Sequence, residues 1–252
     1  MTSPELELVH AFETHDIEGI RRLLDGGVDA AGSYGGKSLV NCLLEMYTRS
    51  DRFPEALGIM LDRGGVLDDP VLEPVVMNDA GALRDALTDE PSLLTHRVTL
   101  PSAFCSLHDA TLLHLAAEYG HGAVARVLLE AGAEVDAPAG VDEHGMNGHT
   151  PLFHTVNAHR NRSATVMKLL LEHGADASLR VDGLVWGGGL EWETVFFDVT
   201  PISFAQMGLL PQVHRDENEI YENVRVLVGS CGRAMPPLGN VPNRYLSGAQ
   251  DA

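Results

Sequence analysis

Basic residues are scarce: 17 lysines and arginines stand against 36 aspartates and glutamates, a formal charge of -19 on 252 residues. That excess repels phosphate backbones and anionic head groups at ordinary salt, so neither nucleic acid nor a membrane surface is expected as partner. Cysteine is sparse too. Cys42, Cys105 and Cys231 are an odd number, stand far apart and form no C-x-x-C pair, which excludes the usual zinc and redox patterns. Free thiols in a reducing cytoplasm are expected instead. No apolar run approaches the ~20 residues of a membrane span, and no basic stretch followed by an apolar one opens the chain. The chain therefore reads as a soluble, unprocessed, cytoplasmic protein. Nucleotide loops, nucleophile elbows, HExxH pairs and EF-hand loops are also absent, and no metal or other cofactor is expected. Aromatics form 6% of the residues, and the two tryptophans, Trp186 and Trp192, share one short segment. With 44% hydrophobic residues the chain can still bury a core.

What is present is a repeat. Residues 111–137 read TLLHLAAEYGHGAVARVLLEAGAEVDA. Thr111, Leu112, Leu113, His114, Leu115 and Ala116 open the unit, Gly120 and His121 turn the chain, Leu128 and Leu129 supply a buried face, and Gly132 ends it as a cap. A second copy starts at Thr150, Pro151, Leu152 and a third at Thr200, Pro201, Ile202. Proline fits the first helical turn because its missing N–H would be unpaired there anyway. Weaker copies lie upstream, through His10, Ala11, Leu23, Leu24 and Gly27, through Met60, Leu61 and Gly64, and from Val75 through Leu87 to Leu94.

The unit at 111 resembles the ankyrin-repeat family nearly position by position, with Leu112 in place of the proline of T-P-L-H-x-A. The chain resembles a bacterial-looking member with enlarged finger loops in its C-terminal repeats. The resemblance implies an all-α fold: a solenoid of about six helix-turn-helix units over 1–231, followed by a proline- and glycine-bearing tail, 232–252. It also implies that His114 is structural, tying the first helix to its neighbours. Each unit buries its apolar faces only against adjacent units, so stability is a sum of repeat and interface terms.

Departures from the period mark what was added. Thr111 and Thr150 are 39 positions apart and Thr150 and Thr200 are 50 apart, against ~33 for an ordinary unit. About three extra residues fall around 160–163, about 6 in the finger 138–149 and about 14 in 180–199. The last segment has strand chemistry: β-rich runs at 181–186 and 190–197 flank Gly187, Gly188 and Gly189, which predicts a protruding β-hairpin. Alternation would put Trp192, Thr194 and Phe196 on one face and Glu191, Glu193 and Val195 on the other.

Two histidines stand out. His149 is the last finger residue before the 150 unit, and His154 takes the place of the core residue Leu115 in the preceding unit. A buried imidazole needs partners, and its pKa then moves within the range used for proton transfer. The alternative is a core histidine with satisfied ring nitrogens. Carboxylates that could face the pair lie in the enlarged fingers: Asp142, Glu143, Glu191, Glu193 and Asp198. Candidate catalytic residues are thus His149, His154, Asp142 and Glu193, and candidate ligand- or partner-binding residues are Trp186, Trp192, Glu191, Asp198 and Phe153. Metal is not expected, because His144, His149, His154 and His159 recur every five residues, about 140° apart on a helix. Two functions fit. One is a binding module taking a partner protein or small-molecule ligand in the concave groove and enlarged fingers. The other is an ankyrin-fold enzyme of isomerase, lyase or cyclase type whose small-molecule pocket uses His–carboxylate acid–base chemistry.

Overall fold

Short polar side chains decide where the helices begin. The computed structural model describes residues 3–102, 104–210, 213 and 215–235. Its helices come in consecutive pairs: α1 (Pro4–Thr14) with α2 (Ile17–Asp25), α3 (Leu39–Glu45) with α4 (Phe53–Asp62), and the one-turn α5 (Glu73–Val76) with α6 (Ala80–Asp89). They continue with α7 (Leu112–Tyr119) and α8 (Gly122–Glu130), a 3₁₀ turn over Pro151–Thr155 with α9 (Ala164–Glu172), and α10 (Pro201–Met207) with α11 (Glu217–Ser230). Ser3, Asp16, Ser38, Asp79, Thr111, Thr200 and Asp216 each accept a backbone N–H from the first turn that follows, satisfying donors the helix leaves free. The starts at Thr111 and Thr200 thus fall where the repeat places them, and so does that at Thr150, which makes no side-chain cap and opens a 3₁₀ turn.

The pairs stack in chain order. α1 packs on α3, α2 on α4, α6 on α8, α8 on α9, and α7 on both α5 and the 151–155 turn. One apolar core runs from Leu8 to Val228, with Leu128, Leu129, Leu169 and Leu170 all buried in it. Among the described residues no helix is long and apolar enough to cross a membrane. Cys42 and Cys105 are buried free thiols, and Cys231 is a half-buried one. Residues 236–252, most of the expected tail, lie outside the described residues.

Among the described residues three two-stranded antiparallel sheets sit in the connections: β1 (Ser33–Tyr34) with β2 (Lys37–Ser38), β3 (Arg97–Leu100) with β4 (Leu107–Thr111), and β5 (Val181–Trp186) with β6 (Thr194–Val199). In the last, Val181 pairs with Val199 and Trp186 with Thr194. The strand foreseen over 190–197 starts only at Thr194, so Trp192 lies in the connection, its ring 4.5 Å from that of Trp186. The expected shared face keeps Thr194 and Phe196 but not Trp192. Neighbouring fingers also bond to each other. Gly140 N–H donates to the His108 carbonyl at 2.8 Å, Asn147 N–H to Gly183 at 2.7 Å and Gly187 N–H to Phe104 at 3.1 Å, while the Asn147 side chain accepts from Val185 N–H at 3.1 Å.

The first helix of the 150 unit shrinks to a 3₁₀ turn. Beyond Val156 the chain passes through left-handed Arg160 and Asn161 before α9 begins, which is where the extra residues near 160 sit. The Asn157 side chain donates to the Phe204 carbonyl at 2.5 Å, tying this connection to α10.

Gly132 and Gly174 follow α8 and α9 with φ of 95° and 91°, and a Cβ built on either meets no atom within 4 Å. The cost of a side chain there is backbone strain alone. Gly132→Val or Gly174→Val should therefore destabilise by about 1 kcal/mol or more in urea unfolding; unchanged midpoints for both would contradict these helix ends.

Candidate functional site

The centre of the site is a carboxylate inside an apolar helix. α7 is buried along its whole length, and Glu118 in its last turn is 7% exposed. Two neighbours reach it. From the connection between α3 and α4, Arg49 Nη2 approaches Glu118 Oε1 at 3.4 Å, with its guanidinium 4.5 Å over the Tyr119 ring and Nη1 donating to the Met46 carbonyl. From the 151–155 turn, His154 Nδ1 lies 2.8 Å from Glu118 Oε2. Facing a carboxylate, that nitrogen carries the proton and donates.

Behind His154 stands His149, its Nε2 3.0 Å from His154 Nε2. With His154 donating from Nδ1 and accepting at Nε2, His149 donates through Nε2, so the chain of bonds runs His149, His154, Glu118, Arg49. His149 Nδ1 has no hydrogen-bond partner among the described residues. His114 holds the arrangement from below: its Nδ1 accepts Thr111 N–H at 3.1 Å, so its Nε2 donates to the His149 carbonyl at 3.0 Å.

Burial sets the charges. Desolvation, then the charges of His154 and His114, hold His149 well below the usual imidazole range, against the opposing pull of the Ser106 backbone. Desolvation, then His154, lowers His114 to about 3. Burial pushes Glu118 up, but the His154 hydrogen bond and the Arg49 charge outweigh it and leave the carboxyl below its ordinary value. Burial, then the Glu118 charge, raises Cys105 well above the thiol range, so the nearby sulfur is a thiol rather than a nucleophilic thiolate.

Above Arg49 opens a cleft of about 830 Å³. One side is built from finger tips, Phe104, Trp186 and Trp192; the other from connections within the helix pairs, Tyr47, Arg49 and Arg215. The rings of Phe104 and Trp186 stack at 6.2 Å. A smaller space of about 40 Å³ beneath it is lined by Glu118, Cys105, Phe153 and Arg162.

The structure brings together only part of the set expected from sequence. His149 and His154 meet, and Trp186, Trp192 and Phe153 border the cleft or the space under it. The carboxylate that joins the histidines is Glu118, not Asp142, Glu191, Glu193 or Asp198. Asp142 is occupied in its own finger turn, accepting His144 and Met146 N–H at 2.9 Å. Glu193 sits at the cleft rim, where it accepts Gly189 N–H at 2.6 Å, and Glu191 is exposed. Asp198 pairs with Arg180 at 2.5 Å on the outer surface. Sequence reasoning missed Glu118, Arg49, Arg162 and Arg215; the one available signal was an acid in the apolar run LHLAAEY. Among the described residues no group of three or more His, Cys, Asp or Glu is arranged to hold a metal ion.

Stacked helix pairs with finger loops folded beside an aromatic cleft define a helical-repeat fold. The family model for ankyrin repeats, in three copies, matches residues 93–181, about a third of the chain. Residues 93–181 thus carry ankyrin repeats. Repeats of this family generally mediate protein–protein interaction. No curated protein matches the chain.

A pH dependence follows from the buried imidazoles. His114 and His149 are neutral when folded but take up a proton near pH 6.5 when unfolded, so the unfolded state binds more protons and stability is lost as pH falls below 6.5. The loss is about 1.4 kcal/mol per pH unit for each such group. Glu118, lowered in the fold, contributes a loss only below its ordinary value of 4.5 and does not act in this window. Urea stability should fall by roughly 2 kcal/mol or more between pH 7 and pH 5; equal midpoints would contradict neutral, buried His114 and His149.

Proposed function

We propose that the chain is a binding module whose partner is held in the cleft between the finger tips and the helix-pair connections. In this reading all six helix pairs are ankyrin units and the β5–β6 finger is an insertion that walls the groove. One observation carries it: the cleft gathers both tryptophans of the chain with Phe104 and Tyr47, and leaves Trp192 42% and Tyr47 56% exposed. Large aromatic surface left open beside a concave wall is the usual material of a recognition site. An acid–base enzyme would need His149 and His154 to touch its substrate. Both histidines lie beneath the cleft and border neither it nor the smaller space, so they serve to hold Glu118 and, through it, Arg49.

A thermal-shift screen of small molecules and peptides against the protein and its Trp192→Ala variant tests this. Saturating binders should raise the melting temperature of the parent, by about 3 kcal/mol of stabilisation at a hundredfold excess over Kd, and lose most of that shift on the variant. Binders that stabilise both proteins equally would place recognition elsewhere.

A further inference from the structure

The chain is short of cations, yet Arg49, Arg162 and Arg215 all border the cleft or the space beneath it. Each is held in place. Arg49, with its side chain 6% exposed, is fixed by Glu118 and the Met46 carbonyl. Arg215 donates through Nε to the Asn157 carbonyl and through Nη1 to Val213, both at 2.8 Å, with its guanidinium 5.7 Å from the Phe104 ring centre. Arg162 reaches Asp51 at 3.2 Å, but that carboxylate is fully exposed and its pairing is weak in water. Buried Nε atoms of Arg49 and Arg162 have no hydrogen-bond partner among the described residues.

The opposing charges nearby are Glu118, already shared between Arg49 and His154, Glu193 at the rim, and the solvent-screened Asp51 beside Arg162. Among the described residues, Glu118 is the one buried carboxylate beside these three guanidinium groups, since Glu193 sits at the rim and Asp51 is fully exposed, in a chain whose overall charge is -19. Burial lowers both Arg162 and Arg215 from the ordinary arginine value, with the Arg49 charge adding to the effect on Arg162 and Asp51 opposing it. An anion in the cleft would offset that desolvation by bringing an opposing charge to the guanidinium groups of Arg49 and Arg215 that line it.

We propose that the cleft binds a small aromatic anion, a carboxylate or phosphate on a planar ring, with the acid group toward Arg49 and Arg215 and the ring against Trp186 and Trp192. This rests on the binding reading above and specifies its ligand. Volume favours a small molecule, since about 830 Å³ lies within the range of small-molecule sites. Charge favours it as well. An acidic peptide would have to extend over the surface of a chain with an overall charge of -19, whereas a small anion can sit by Arg49 and Arg215 with Glu193 as the one carboxylate in the described lining, the outer charges being screened beyond about 8 Å at physiological salt.

Because both tryptophans border the cleft, their fluorescence reports its occupancy. The protein is titrated with benzoate, phenyl phosphate, benzyl alcohol and benzylamine, with calorimetry alongside. At least one anion should bind saturably, about tenfold or more tighter than the alcohol and the amine. Arg215→Met should abolish that preference by weakening the anions far more than the alcohol, and Arg215→Lys should restore part of it. A preference for benzoate assigns a carboxylate, and one for phenyl phosphate assigns a phosphate. If benzyl alcohol or benzylamine binds as tightly as the anions and Trp192→Ala removes the binding, the anion proposal is overturned and the cleft remains a binding site. If no probe perturbs the tryptophans, the aromatic-anion proposal is overturned, while the binding reading stands or falls on its own screen. The four probes on the parent protein decide the matter even if an arginine variant fails to fold.

Discussion

A carboxylate taken out of water among leucines and alanines is stable only when cations or donors meet it, and Glu118 is met from both sides. Arg49 comes from the unit stacked earlier in the chain and His154 from the unit stacked later. An isolated buried carboxylate would cost many kcal/mol or be protonated. The interaction therefore ties three segments that are distant in sequence to one point. A buried ion pair adds little net stability over an apolar substitute, but removing one partner of it is costly. Its consequence here is positional: Arg49 is fixed at the edge of the cleft, and the 151–155 turn is held against α7.

The fingers complete the same design from the other side. Ordinary exposed loops would leave the groove open. Here the 97–111, 138–149 and 181–199 fingers exchange backbone and side-chain hydrogen bonds, so their tips stand as a row. Phe104, Trp186 and Trp192 are carried on that row to face Tyr47, Arg49 and Arg215. The two walls come from opposite ends of the helices, so the cleft exists only where the stack and the fingers meet.

The stack itself was legible in the sequence. Thr111 and Thr200 mark helix starts because capping chemistry is local, Thr150 marks one through the proline that follows it, and Gly132 and Gly174 mark ends because left-handed backbone favours glycine. The hairpin was legible from β-branched runs around three glycines. Its partner finger at 97–111 was not, because four- and five-residue strands split by a six-residue loop carry too little periodicity. The His149–His154 pairing was visible as a histidine at a core leucine position. Its carboxylate was sought nearby in sequence, in the fingers, although a buried acid is chosen by three-dimensional adjacency. Glu118 lies 36 positions from His154 and Arg49 lies 69 from Glu118; no spacing rule connects them. The arginines were hidden for the same reason, since each sits in a connection that the repeat pattern treats as filler.

The most direct measurement is a double-mutant cycle on unfolding free energy at pH 7 with Glu118→Gln, His154→Gln and the double variant. If the buried carboxylate and its imidazole act as one unit, each single change leaves a charged or polar group without its partner. The double change should then cost less than the sum by about 1–3 kcal/mol. Strict additivity of the two single changes would contradict the account.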